Sequence, residues 1–109
     1  MLIAVASRSG KEIDQHFGHA ERFLIYEVEG NRANLVDEKK VERYCSMDQD
    51  HPLRGDLLKK IADAVWGCRA VACAQIGQAP LMEMERLGID VYTIEGPIRK
   101  TLIELAKAL

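Results

Sequence analysis

The sequence lacks the features that mark several specialised classes of protein. No apolar run approaches the roughly 20 residues that a membrane-spanning helix needs, so we expect no membrane partner. The apolar first residues lack the basic segment of a secretory signal. There is no dense tract of lysine and arginine, and the formal net charge is -2. Because phosphate binding needs an excess of cations on one face, nucleic acid is not an expected partner.

Cysteine is also scarce, with three residues at positions 45, 68 and 73. An odd number does not suit a disulfide framework, and the 109 residues, 48% of them hydrophobic, are enough for a core without covalent support. We therefore expect a cytoplasmic protein with a single domain over residues 1–109. Cys68 and Cys73 flank or lie within an apolar strand, where cysteine usually packs as a small hydrophobe.

The hydrophobic pattern changes from strand-like alternation to a helical period of about 3.6 residues in the middle of the chain. The predicted strands cover residues 2–7, 22–28, 33–42, 69–74 and 89–94, and the predicted helices cover about 57–66, 80–87 and 97–109. This order, βββαβαβα, predicts an antiparallel meander followed by right-handed α/β crossovers. The expected fold is α/β, with a mixed five-stranded sheet flanked by helices in the three-layer, ribonuclease H-like arrangement.

The residue sets of common enzymes are missing. A two-metal nuclease of this fold needs clustered carboxylates that begin on the first strand, and that strand has none. No Ser-His-Asp or Cys-His-Asn arrangement and no phosphate-binding glycine fingerprint can be assembled. We therefore expect a binding protein rather than an enzyme.

The segment DQHFGHAERF places His16 and His19 three residues apart, in a loop between the first two predicted strands. Imidazole is a common ligand of iron, zinc and copper, and Gly18 permits a tight turn between the two rings. Two histidines in a loop are more often solvated, or cap a backbone group, than bound to a metal. From the residues alone, both interpretations stay open.

Four other residues border the same predicted edge of the sheet. In α/β sheets, ligands bind beyond the carboxyl ends of strands, beside the point where the strand order reverses. Ser7 and Arg8 end the first strand there, and Arg8 is either a partner for a negative group or a solvated charge. Gly77 and Gln78 lie between the fourth strand and the next helix, where backbone amides and the helix dipole favour an anion.

Cys45 follows the third predicted strand in the segment VERYCSMD. Its thiolate could bind a soft metal or an iron–sulfur cluster, or it could be an ordinary, partly exposed thiol. His51 and Met47 in the same region are a further imidazole and a thioether of uncertain role. The segment SMDQDHPLRGD, which begins after Cys45, is more acidic than expected if it surrounds an anionic iron–sulfur cluster.

Four segments, IDQHFGHAERFLIYEV, VERYC, IGQAP and GIDVY, resemble in order the dinitrogenase iron–molybdenum cofactor biosynthesis family. This family includes NifX-like and NafY-like carriers and the C-terminal domain of NifB-type enzymes, and the resemblance spans essentially the whole chain. It implies a ribonuclease H-like fold. It also implies binding and transfer of an iron–sulfur cluster precursor or the iron–molybdenum cofactor, between cofactor-assembly proteins and an apo-acceptor protein. On this resemblance, His16, His19 and Cys45 are the candidate contacts to the cluster.

Two functions of other classes stay open beside the carrier. One is a regulatory or scaffolding module that binds a protein partner and holds no cluster. The other is a mononuclear metal site formed by His16, His19 and Cys45. The CxxxCxxC motif of the radical enzyme domain is absent, so synthesis of the precursor is not expected on this chain.

Overall fold

A computed structural model of the protein describes residues 1–42 and 54–109. Cys45, Met47 and His51 therefore lie outside the described residues. The strands are β1 (Leu2–Val5), β2 (Glu12–Ile13), β3 (Arg22–Glu29), β4 (Arg32–Lys40), β5 (Ala70–Cys73), β6 (Val91–Thr93) and β7 (Gly96–Pro97). The α-helices are α1 (Arg54–Ala64), α2 (Gln78–Arg86) and α3 (Ile98–Ala108). None of these helices is both long and apolar enough to cross a membrane.

Five of the strands form one mixed sheet in the order β4-β3-β1-β5-β6. The neighbours β1 and β3 are antiparallel, as are β3 and β4, whereas β1 pairs in parallel with β5 and β5 with β6. The predicted α/β class, with a mixed five-stranded sheet and three helices, is confirmed. The central position of β1 follows from its composition, because LIAV is apolar on both faces and three of its four residues are buried.

The helices cover both faces of the sheet. On one face α1 and α2 pack against residues such as Ala4 and Phe23 through Ile61 and Met84. On the other face α3 packs against Ile3, Val5 and Leu24 through an apolar stripe formed by Ile98, Leu102 and Leu105. Alternation along β1 therefore divides the interior into two layers, and the sheet belongs to both.

A second, two-stranded sheet was not predicted from the sequence. It pairs β2 with β7 in antiparallel register, and the amide of Ile98 extends it by donating to the carbonyl of Lys11 at 3.0 Å. Ile13, its inward residue, is buried in the core under α3. Two residues are too few for a periodic signal, so pairing with a distant segment decides this element.

Two predicted helix boundaries were wrong. The first helix was expected to include Trp66, but α1 ends at Ala64 and Trp66 is 75% exposed. The chain leaves the helix there because the Trp66 amide bonds to Asp63 in a tighter turn and Gly67 follows at φ +92°. Pro97 was expected to open the last helix, but it is extended at ψ 131° and pairs in β7, so α3 begins at Ile98.

Candidate functional site

The histidine loop, residues 14–21, is held along the carboxyl end of β5. The amide of Ala74 donates to the carbonyl of Gln15 at 3.0 Å, and the amide of Phe17 donates to the carbonyl of Gln75 at 2.8 Å. His16 and Gln75 thereby form a parallel β-bridge. The backbone thus places both imidazoles beside the turn that leads from β5 into α2, at the edge of the sheet where ligands were predicted.

A single 3-10 turn, Phe17–His19, sets the geometry of the two rings. The Nδ1 atom of His16 accepts a hydrogen bond from the Gly18 amide at 2.9 Å. The Phe17 ring is buried and lies 5.8 Å from the ring of Phe23 on β3, measured between centroids. The turn is therefore fixed by the core below it and by the side chain of His16 at its start.

The two imidazoles lie close together in different environments. Their centroids are 4.8 Å apart with 30° between the ring planes, and His16 is partly buried whereas His19 is exposed. Burial, and then the charge of His19, lower the pKa of His16, so its ring is uncharged at neutral pH. Since Nδ1 accepts the Gly18 amide, the neutral ring carries its proton on Nε2 and presents a donor there.

His19 opens onto a pocket of about 710 Å³, which is within the size range of small-molecule sites. The pocket is bounded by the end of β1, the histidine loop, the start of β3 and the end of β4. Its lining residues are Ser7, Arg8, Gln15, His19, Glu21, Arg22, Glu38 and Lys40. Three permanent cations and two carboxylates face a space that is open to solvent, so charge dominates what this pocket can bind.

Ser7 and Arg8 both reach this pocket, in different ways. Ser7 is fully buried, and its hydroxyl donates to the carbonyl of Glu12 at 2.6 Å and accepts from the amide of Gly10 at 2.8 Å. These two bonds hold the loop between β1 and β2. Arg8 is exposed, and its amide donates to a carboxylate oxygen of Asp14 at 2.8 Å. The loop is therefore braced by these bonds, and Arg8 is among the residues that line the pocket.

Gly77 and Gln78 are not among the residues that line this pocket. Gly77 caps α2 in an extended conformation without a side-chain hydrogen bond, and Gln78 is the first helical residue. Both are exposed, two and three residues after Gln75, which bonds to the histidine loop. The structure thus brings Ser7, Arg8 and His19 to one pocket, whereas the start of α2 follows the segment that bonds to the histidine loop.

Sequence reasoning missed the residues that the β3–β4 hairpin contributes. Arg22 and Lys40 are register partners on adjacent strands, and an ion pair of 3.0 Å joins Arg22 to Glu38. In the sequence these residues are ordinary charges on polar strand faces. Their pairing depends on the hairpin turn at residues 30–31 and on a β-bulge at Ile25/Tyr26 that shifts the register by one residue. Local sequence patterns do not reveal that bulge, so they could not indicate that Arg22 and Lys40 line the same pocket as Arg8.

Residues 1–42 and 54–109 contain no group of three or more His, Cys, Asp or Glu side chains placed to hold a metal ion. Cys73 is buried, and this burial raises the pKa of its thiol to about 12. Burial also raises the pKa of Cys68, which packs partly buried against the α1 side of the core. A thiolate ligand from either residue is therefore disfavoured at neutral pH.

Comparison with known proteins identifies relatives over the whole chain. The family model described as dinitrogenase iron-molybdenum cofactor matches residues 1–108. The FeMo cofactor biosynthesis protein NifB of Frankia alni is 35% identical over 109 residues, which are 100% of this chain and 21% of that protein. The corresponding protein of Azotobacter vinelandii is 36% identical over 90 residues, 83% of this chain and 18% of its own. The chain thus spans about a fifth of the length of these relatives.

The fold is also present among solved structures. The crystal structure of the protein PH0822 superposes with a TM-score of 0.69 at 26% sequence identity, over 99% of this chain and 90% of that one.

Proposed function

This chain belongs to the dinitrogenase iron–molybdenum cofactor family, and from that premise we propose that it acts in iron–molybdenum cofactor biosynthesis as a carrier. Its cargo is an iron–sulfur cluster precursor or the finished cofactor, bound transiently and passed on without catalysis. The similarity to NifB, a FeMo cofactor biosynthesis protein, supports this pathway. The donor is a cofactor-assembly protein and the acceptor is an apo-protein, both in the reducing cytoplasm where Cys68 and Cys73 remain free thiols.

One observation carries the proposal. Two imidazoles whose centroids are 4.8 Å apart lie at the edge of the sheet, and His19 lines a pocket with three cationic side chains. Imidazole nitrogen is a ligand for iron, and iron–sulfur clusters with thiolate or sulfide ligands are usually anionic, so cations around them favour binding. A carrier needs few ligands, because a cluster with every iron ligated by one protein is not readily released.

The two histidines have different parts in this carrier. His19 is exposed and supplies a nitrogen lone pair to an iron atom. His16 offers its Nε2 proton to a sulfide, or binds iron after giving up its bond to the Gly18 amide. Cys45 supplies a thiolate, and Ser7 and Arg8, together with the Gly77 and Gln78 amides, surround the anion.

Anaerobic titration with a synthetic [4Fe–4S] thiolate cluster, followed by visible absorption, tests this proposal. We expect binding to weaken by at least about tenfold in His19→Ala and in Cys45→Ala, since each removes a ligand bond. Cys68→Ala is the matched control, because Cys68 lines another pocket, beside Trp66, and should leave the titration unchanged.

Unchanged binding in both ligand variants would reject the assignment of these residues. A wild-type protein that takes up no cluster, and that is isolated anaerobically from its host in a metal-free complex with another protein, would instead support the regulatory or scaffolding alternative. One tightly held ion per chain would support the mononuclear site.

A further inference from the structure

Two cations lie directly opposite each other at the rim of the candidate pocket. Arg22 at the start of β3 and Lys40 at the end of β4 are register partners in the antiparallel hairpin. Directly opposed side chains share one face of a sheet, where like charges destabilise the pair. This arrangement costs stability unless an anion lies between or beside the two cations.

In the structure Glu38 is that anion. Its Oε1 atom lies 3.0 Å from Nη1 of Arg22, and the two side chains are 40% and 39% exposed. Glu38 pairs in register with Leu24, so it is the diagonal neighbour of Arg22 on the same face. An ion pair this exposed is weak, and a competing anion can replace the carboxylate.

The Arg22 guanidinium also approaches the loop that carries Arg8. Its Nη2 atom lies 3.8 Å from the position that a Cβ atom on Gly10 would occupy, in the loop that follows β1. Arg8 on that loop lines the same pocket. Within residues 1–42 and 54–109, neither Arg8 nor Lys40 forms a salt bridge with another side chain. Three cations from three segments therefore converge on one open space, against the two carboxylates of Glu21 and Glu38 that also line it. Of these two, Glu38 forms the ion pair with Arg22.

We propose that this pocket is a site for multivalent anions, in which Arg8, Arg22 and Lys40 bind the negative face of the ligand and Glu38 is a built-in competitor. The entering anion displaces Glu38 from Arg22, and Glu38 returns when the anion leaves. The identity of the natural ligand rests on the proposed function, whereas the anion site rests on the geometry of the pocket. For a carrier, Glu38 lowers the affinity and thereby promotes release.

Titration of the full chain with pyrophosphate at low salt, followed by amide chemical shifts of the histidine loop, tests this inference. We expect Glu38→Gln to bind about two- to fivefold more tightly, as removal of a weak surface ion pair implies. Arg22→Gln and Lys40→Gln should each bind more weakly than the wild type. Glu29→Gln is the matched control, because it removes the same charge at the far end of β3, about 23 Å away.

The inference is overturned if Glu38→Gln binds no more tightly than the wild type, if Glu29→Gln tightens binding equally, or if the wild type does not bind pyrophosphate. The same variants titrated with the [4Fe–4S] cluster separate this inference from the proposed function. Cluster binding that is unchanged in the Glu38 and Lys40 variants, together with no pyrophosphate binding, would reject the anion site and leave the carrier. Pyrophosphate binding with the expected order, but no cluster binding, would reject the carrier and leave the anion site.

Discussion

His16 combines two properties that the sequence presented as alternatives. Its Nδ1 atom accepts the amide of Gly18, which is the capping interaction that Asn and Asp side chains usually make in turns. Its ring also lies 4.8 Å from that of His19, which lines a pocket of about 710 Å³. A histidine that caps a turn is held in one orientation, so the same bond that explains it structurally also positions it for a ligand.

The protonation of His16 predicts how stability depends on pH. Because burial, followed by the charge of His19, lowers its pKa in the folded protein, the unfolded chain binds more protons below about pH 7. The contribution of His16 is therefore present above the usual histidine pKa of about 6.5 and is lost as pH falls through the folded value. For the wild type, the urea concentration at the unfolding midpoint should therefore decrease as the pH is lowered from about 7.5 to 5.

His16→Asn is the informative variant for this prediction. Asparagine retains an acceptor for the Gly18 amide but does not titrate, so the decrease between about pH 7.5 and 5 should become smaller. His19→Asn removes the smaller cause of the lowered His16 pKa, so it should reduce the dependence of the unfolding midpoint on pH only in part. A slope that is the same in His16→Asn and in the wild type would contradict the account.

At the scale of elements, the junction between β7 and α3 depends on one glycine. Gly96 has φ +134°, and a Cβ atom there would lie 2.8 Å from Oγ1 of the buried Thr101. Gly67 also has a positive φ, of +92°, but a Cβ there would meet nothing within 4 Å. A side chain at Gly67 would therefore cause backbone strain alone, whereas one at Gly96 would cause both backbone strain and steric overlap.

We predict that Gly67→Ala lowers the free energy of unfolding by about 1 to 2 kcal/mol, the cost of a side chain at positive φ. Gly96→Ala should cost at least about 1 kcal/mol more, because the added methyl group must also displace Thr101. Urea denaturation of both variants measures the difference. Equal losses would show that α3 moves freely to accept the methyl group.

Periodicity located the helices well but misplaced two of their ends. Trp66 continues the apolar spacing of α1, yet the chain turns away after Ala64 and exposes the indole ring. Pro97 has the residue type that favours a helix start, yet pairing with Glu12 keeps it extended. In both cases a turn or a distant strand overrides the local preference, and neither is visible in a window of one helix.

At the scale of the whole molecule, one sheet joins two cores. Ile61 on α1 and Leu102 on α3 are buried on opposite faces, at 1% and 0% exposure. We predict that Ile61→Ala and Leu102→Ala each lower the free energy of unfolding by about 2 to 5 kcal/mol. Since β1 and β5 contribute to both cores, urea unfolding followed by circular dichroism should remain a single transition.

The double variant Ile61→Ala/Leu102→Ala tests more strictly whether the two cores contribute independently to stability. Ile61 and Leu102 belong to separate core clusters on opposite faces of the sheet, so their effects should add to within about 0.5 kcal/mol. Lys59→Ala on the exposed side of α1 is the control and should change stability by no more than about 0.5 kcal/mol. Two separate transitions in either single variant would mean that the two layers unfold independently.

The sequence by itself determined the five strands of the main sheet, the three helices, the fold class and the family. The apolar runs of β1 and β5, the periodic stripe of α3 and the segment HFGHA are local patterns, and each is legible within a few residues. Those patterns were sufficient to place His16, His19, Ser7 and Arg8 at one edge of the sheet.

Only the tertiary structure decided what surrounds them. The pairing of Arg22 with Lys40, the Glu38 ion pair, the bond from the Gly18 amide to His16 and the ladder between β2 and β7 all depend on register or on exact backbone angles. A shift of one residue in the β3–β4 hairpin would turn these charges to the other face of the sheet. Local propensity hardly distinguishes such registers, because the burial and pairing of residues far apart in the chain select among them.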